Sequence, residues 1–159
     1  MNNYNHLDLD KVKDLVCQYT SIKQASDYIQ NEEIIFNPLV IKSKLKDSEE
    51  ALNLLKKDFN LSFDGVADID DILVKASKDI CLDGYELASV LTFSNHCLRI
   101  KNRMSGLGDD LNIKGYSESL FIDENLIKKI DKVVDINGNI KEDASPKLKS
   151  IFESINRNS

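Results

Sequence analysis

Apolar residues recur along most of the chain at steps of three and four, the spacing that places them on one side of a helix. Leu9, Val12, Leu15, Val16, Tyr19, Ile22, Ala25 and Ile29 form such a stripe. The pattern predicts a long first helix, with Asp8 at its N-cap. A polar, extended stretch from Asn31 to Phe36 ends at Asn37-Pro38, a capping side chain followed by a proline where no backbone donor is needed. It opens a second helix running through Leu45, Ala51, Leu52 and Leu55 towards Phe59. Lys42, Lys44, Lys46, Asp47, Glu49, Glu50, Lys56 and Lys57 mix both signs along this helix and read as a solvated face.

Residues 60–67 form a connection pinned by Phe63 and Val66, with Gly65 where a side chain would resist the backbone conformation. Asp68 is expected to cap a third helix from Ile69 to Ile80, whose first turn carries Asp70 and Asp71 near the positive end of the helix dipole. Asp83-Gly84-Tyr85-Glu86 has the spacing of a capping box. The helix it starts is the most apolar: Leu87, Ala88, Val90, Leu91, Phe93, Cys97, Leu98 and Ile100 exceed a single stripe, which places it in the middle of the bundle. Gly106 and Gly108 break it, and residues 111–121 fit either a short helix or an irregular connector. Asp123-Glu124 then starts a helix over Asn125 to Asp131, with Leu126, Ile127 and Ile130 inward and Lys128, Lys129 and Lys132 towards its C-terminal end.

The last thirty residues are the most specific. Val133, Val134 and Ile136 on one side and Ile140 on the other flank Asn137-Gly138, a pair suited to a tight turn, and predict a small β-hairpin over 133–141. Ser145 and Pro146 repeat the cap-plus-proline signal. Ile151, Phe152 and Ile155 keep helical spacing up to the last residues, so this helix is expected to be cut short, with the chain continuing past Ser159. The expected fold is therefore all-α: an irregular bundle of about five to six helices with one hairpin, made of a helical core-type domain over 1–145 and the start of a further helix over 146–159.

Composition narrows the function. The 159 residues carry 21 Lys and Arg against 27 Asp and Glu, a net charge of −6 that disfavours a broad phosphate-binding surface. Cys17, Cys81 and Cys97 are odd in number and widely spaced, which suggests neither a disulfide framework nor a zinc site but reduced, mostly buried thiols in a cytoplasmic protein. The polar start lacks the regions of a signal peptide, and no apolar run approaches the length of a membrane span. Asp68, Asp70 and Asp71 lack the order of a calcium loop and are better explained as helix-start residues. His96 and Cys97 are adjacent on a helix and point about 100° apart, so they do not form a nucleophile and base. No nucleotide loop, nucleophile elbow or metal-protease motif is present, and no residue is assigned a catalytic, cofactor-binding or metal-ligating role.

The stretch from Asp135 through Gly138, Ala144-Ser145-Pro146 and Leu148 to Ile151 resembles the "acidic-Gly-x-(Val/Ile)-x-Asp-x-Ala-Ser-Pro-x-Leu-x-x-Ile" segment near the N-terminus of the bacterial MutS-II proteins, MutS-like ATPases that typically end in an Smr nuclease domain. Leu7-Asp8-Leu9-Asp10-Lys11-Val12, Ser48-Glu49-Glu50-Ala51-Leu52, Phe63-Asp64-Gly65-Val66-Ala67-Asp68-Ile69 and Leu82-Asp83-Gly84-Tyr85-Glu86-Leu87 are similar to further family segments in the same order. Asp64 departs from the pattern where a second glycine is usual, as do Ala67 and Asp70 where basic residues are common. The resemblance implies the N-terminal helical core that leads into the lever helices of a MutS-type clamp, with Pro146 beginning the first lever. It implies a dimeric, ATP-driven parent that acts on branched DNA or collided ribosomes. ATP, Mg and nuclease chemistry would be carried by other parts of that parent, and this chain would be structural and not an enzyme by itself. The alternative is a stand-alone helical module that binds another protein.

Overall fold

The computed structural model describes residues 8–63 and 65–157. Leu7 and Asp64, which carry part of the family-like pattern, and the polar start up to His6 lie outside them. Among the described residues the protein is all-α, with eight helices: α1 (Leu9–Cys17), α2 (Lys23–Asn31), α3 (Pro38–Leu55), α4 (Asp70–Ser77), α5 (Gly84–Ser105), α6 (Asn112–Glu118), α7 (Glu124–Val133) and α8 (Pro146–Arg157). The described residues fall into two compact units, one of 8–63, 65–68 and 107–116, the other of 69–106 and 117–157.

In the first unit the expected long helix is two. The apolar stripe runs unbroken from Leu9 to Ile29, but the chain folds back between Gln18 and Ile22, so that α1 and α2 pack as a helical hairpin. The Thr20 hydroxyl donates to the Cys17 carbonyl at 2.8 Å, satisfying a helix-end acceptor that a continuous helix would have used. Lys13 on α1 then donates to the carbonyls of Gln30 and Glu32 at 2.8 and 2.7 Å, closing the C-terminus of α2. Asp8 does not cap α1. It lies in the left-handed region with φ 50°, makes no capping hydrogen bond and pairs instead with Lys11 at 2.9 Å. α3 starts as expected: the Asn37 side chain accepts from the Leu39 amide at 3.0 Å, and Pro38 opens the helix.

The second unit is built on α5 and α7. Leu91, Ile130 and Val134 form its buried cluster, with Leu87, Val90, Ile127 and Val133 packed around them. α5 contributes three of the six buried apolar residues of the described chain, in keeping with its expected central place. The capping box at its start is complete: the Glu86 amide donates to the Asp83 carboxylate and the Asp83 amide to Glu86, both at 2.9 Å. Asp123 caps α7 by accepting from the amides of Asn125 and Leu126. α4 is shorter than expected. It begins at Asp70 with Ile69 at the cap position, and Asp68 lies 3.5 Å from Lys23 in its own unit. Residues 111–121, ambiguous in sequence, hold the short helix α6.

The hairpin expected over 133–141 does not form as strands. A single antiparallel bridge, Val134 to Ile140, closes a turn in which the Asp135 amide donates to the Asn139 carbonyl at 2.9 Å and the Gly138 amide to the Asp135 carbonyl at 3.1 Å. Gly138 alone of the turn pair takes a positive φ, 80°, the arrangement of a type I turn followed by a left-handed glycine. The short arms do not extend the ladder beyond this bridge: Val134 is buried in the cluster with Leu91 and Ile130, whereas Ile136 and Ile140 remain exposed. The Asp135 carboxylate also takes the amides of Asn137 and Asn139, both at 2.8 Å, as a turn-specific partner.

Candidate interaction surface

The groups that could suggest chemistry are dispersed. Among the described residues no three His, Cys, Asp or Glu side chains are grouped so as to hold a metal ion. His96 faces Arg99, whose guanidinium lies 2.6 Å from Nδ1, and burial together with that charge holds the imidazole below its usual range. Burial pushes the Cys97 thiol up, away from thiolate reactivity. None of the three thiols is fully buried, which corrects the expectation of mostly buried cysteines; Cys17 and Cys97 are half-buried and Cys81 is exposed. No helix among the described residues is long and apolar enough to cross a membrane.

The organised polar chemistry lies on α3. Its expected solvated face is only partly so. Glu50 is buried, accepts from the Ile113 amide at 3.1 Å and so caps the start of α6, with Lys46 at 3.5 Å from the same carboxylate. Lys46 also donates to Asn112 at 3.2 Å, and the Tyr116 hydroxyl donates to Asp47 at 2.7 Å. One turn earlier Lys44 is bound by Glu32 and by the Tyr28 hydroxyl; these bonds raise its pKa and lower that of Glu32. The inward side of α3 is thus the polar one. Composition hides this, since Glu50 differs from its charged neighbours only in facing a helix start from elsewhere in the chain. Its one sequence signal is its place in the family-like Ser48-Glu49-Glu50-Ala51-Leu52 segment.

In the second unit the 135–139 turn sits on the first turn of α5. A Cβ on Gly84 would overlap the Gly138 carbonyl oxygen and lie 3.2 Å from its carbon; a Cβ on Gly138 would lie 2.8 Å from both the amide nitrogen and Cα of Tyr85. The two glycines therefore mark a backbone-to-backbone approach that no larger residue permits. Past the turn, Lys141 donates its amide to the Val133 carbonyl at 2.8 Å, and its ammonium binds Asp131. The chain then enters α8, where the Leu148 amide donates to the Ser145 hydroxyl at 3.2 Å and Pro146 is the first helical residue, as the sequence predicts. α8 carries Ile151 and Ile155 largely exposed.

Among the described residues, an all-α chain whose last helix leaves a capped exit at Ser145-Pro146 is the class that these features define. Comparison with known proteins supplies the relationship. The chain is 28% identical over 160 aligned positions to the endonuclease MutS2 of Halothermothrix orenii, covering 95% of this chain and 20% of that protein. It is 28% identical to that of Thermotoga neapolitana, covering 91% of this chain and 19% of the relative, and 34% identical to that of Carboxydothermus hydrogenoformans, covering 74% and 15%. The chain is a distant homologue of the MutS2 endonucleases and corresponds to a segment of a MutS2-like protein. It spans about a fifth of the length of the curated relatives that it matches over most of its own length. No family model matches it, and no solved structure does.

Proposed function

We propose that this chain is the N-terminal helical core segment of a MutS2-like ATPase clamp that acts on branched DNA or collided ribosomes. Its role is structural and force-transmitting: the core-type part over 1–145 holds and directs α8, which starts the lever at Pro146. The observation that carries the reading is the homology over nearly the whole chain, together with a capped, proline-started helix leaving the turn docked on α5. ATP, Mg and nuclease chemistry belong to the remainder of the parent, and the segment's partners are that remainder and the second subunit of a homodimer. The parent works in the cytoplasm.

Two measurements test this. The purified chain is expected to hydrolyse no ATP and cleave no four-way DNA junction above the buffer blank. Mg-dependent turnover that scales with the chain and survives repurification would overturn the non-catalytic role. Fusing the chain in place of the homologous segment of the Thermotoga neapolitana relative is expected to preserve that protein's ATP turnover. An inactive but folded and dimeric chimaera would count against a shared mechanical role.

A further inference from the structure

α3 divides into three faces. Lys44, Asp47 and Glu50 are buried or half-buried and hold neighbouring parts of the first unit, with half-buried Leu54 on the same side. Lys42, Lys46 and Glu49 lie on a second, charged face, followed just past the helix end by Lys56 and Lys57. Ile41, Leu45, Ser48, Leu52 and Leu55 form the third. Their steps of four, three, four and three define a heptad seam about 21 Å long. All five are exposed, Leu45 by 65% and Leu52 by 51%. The polar member is compatible with a dry seam, since the Ser48 hydroxyl donates to the Lys44 carbonyl of its own helix at 2.9 Å. An apolar stripe set apart from a charged face is the pattern of a helix that packs its stripe against another element, yet these side chains lie exposed.

We infer that the Ile41–Leu55 seam of α3 is a docking surface for an amphipathic helix whose own apolar seam is flanked by acidic residues. The four-three spacing specifies a helical occupant, because knobs-into-holes packing needs the same repeat on both sides. The flanking charge specifies its sign: Lys42 and, just past the helix end, Lys56 border the seam with Glu49 as the single acid between them, while Lys46 is already engaged by Glu50 and Asn112. A second copy of α3 would bring these lysine-rich edges together, and Lys44 on the opposite edge is already engaged by Glu32 and Tyr28. The inference stands on α3 alone and does not depend on the clamp reading.

The test is fluorescence anisotropy with the full 159-residue chain and two synthetic helical peptides that share a leucine seam of four-three spacing, one flanked by Glu and the other by Lys. The Glu-flanked peptide is expected to bind at least about tenfold more tightly than its twin. Leu45→Asn with Leu52→Asn should cost about tenfold or more with unchanged helical circular dichroism, since both side chains are largely exposed. Lys42→Glu with Lys56→Glu, which leaves the seam untouched, should invert the preference. Equal binding of the two peptides, binding of neither, or binding that survives the leucine substitutions would overturn the proposal. So would a concentration-dependent dimer abolished by them, which would assign the seam to a second copy.

Discussion

Substituting Gly84 by alanine adds one methyl group at the place where the Gly138 carbonyl approaches α5. Both partners at this point are backbone, so no side-chain rotation relieves the overlap; the turn must move, and with it the bridge from Val134 to Ile140. Overpacking a closed contact costs about 1–3 kcal/mol. The better helix propensity of alanine and its stiffer unfolded chain return at most about 1 kcal/mol. The net expectation is a loss of about 1–2 kcal/mol, which for a chain of this length is a fall of roughly 2–8 °C in Tm. Urea denaturation followed by circular dichroism reads the stability. Amide exchange at Lys141 and Asn139, whose N–H groups are held by Val133 and Asp135, reads the turn. Gly115→Ala is the matched control: that glycine lies inside α6 with nothing within 4 Å of a new Cβ, so the same change there should stabilise by about 0.5–1 kcal/mol. An equal or higher midpoint for Gly84→Ala, with Lys141 still protected, would refute the close approach.

Other outcomes follow from the same geometry. Glu50→Ala strips the Ile113 amide of its partner and should cost about 1–3 kcal/mol in urea unfolding; a change within error would mean that the carboxylate does not cap α6. Asp135, Glu86 and Asp109 are held below the usual carboxylate range by hydrogen bonds from Asn139, Lys75 and Lys114 respectively. Their stabilisation is complete above the unfolded carboxylate pKa of about 4 and is lost as the pH falls through their lower folded values. The urea midpoint should therefore fall as the pH is lowered from about 5 through the carboxylate range, modestly because these groups meet solvent and are screened by it, and less steeply in Asp135→Asn; a flat profile would contradict the assignment. Exposed Cys81 should react first with a thiol reagent at neutral pH and Cys97 slowly, so that Cys81→Ser removes the fast phase.

Four helix starts were legible because their signals are local, although the cap expected at Asp8 is absent and α4 has Ile69, not Asp68, at its cap position. Asn37-Pro38, the Asp83 to Glu86 box, Asp123 and Ser145-Pro146 each bond an amide two or three residues away, and each stands where the sequence placed it. What escaped is what depends on distant chain. The stripe from Leu9 to Ile29 keeps its period across the break at residues 18–22, because two helices that pack on each other need the same apolar spacing as one long helix. The Asn137-Gly138 pair announced a turn, but whether arms become strands depends on a covering layer that no local pattern reveals. Glu50 looked like one of several surface charges, and its role appears only when residue 113 is brought to it. The family relationship was readable at the Ala144-Ser145-Pro146 exit, since turn and cap chemistry tolerate few alternatives.

We propose that this chain is the core segment of a MutS2-like clamp, with α8 as the start of its lever. The most direct measurement is to determine the genomic reading frame downstream of Ser159. The frame is expected to continue through a long heptad-patterned helix to a glycine-rich nucleotide-binding motif. A stop codon at that point, with no MutS-type ATPase encoded in frame beyond it, would contradict it.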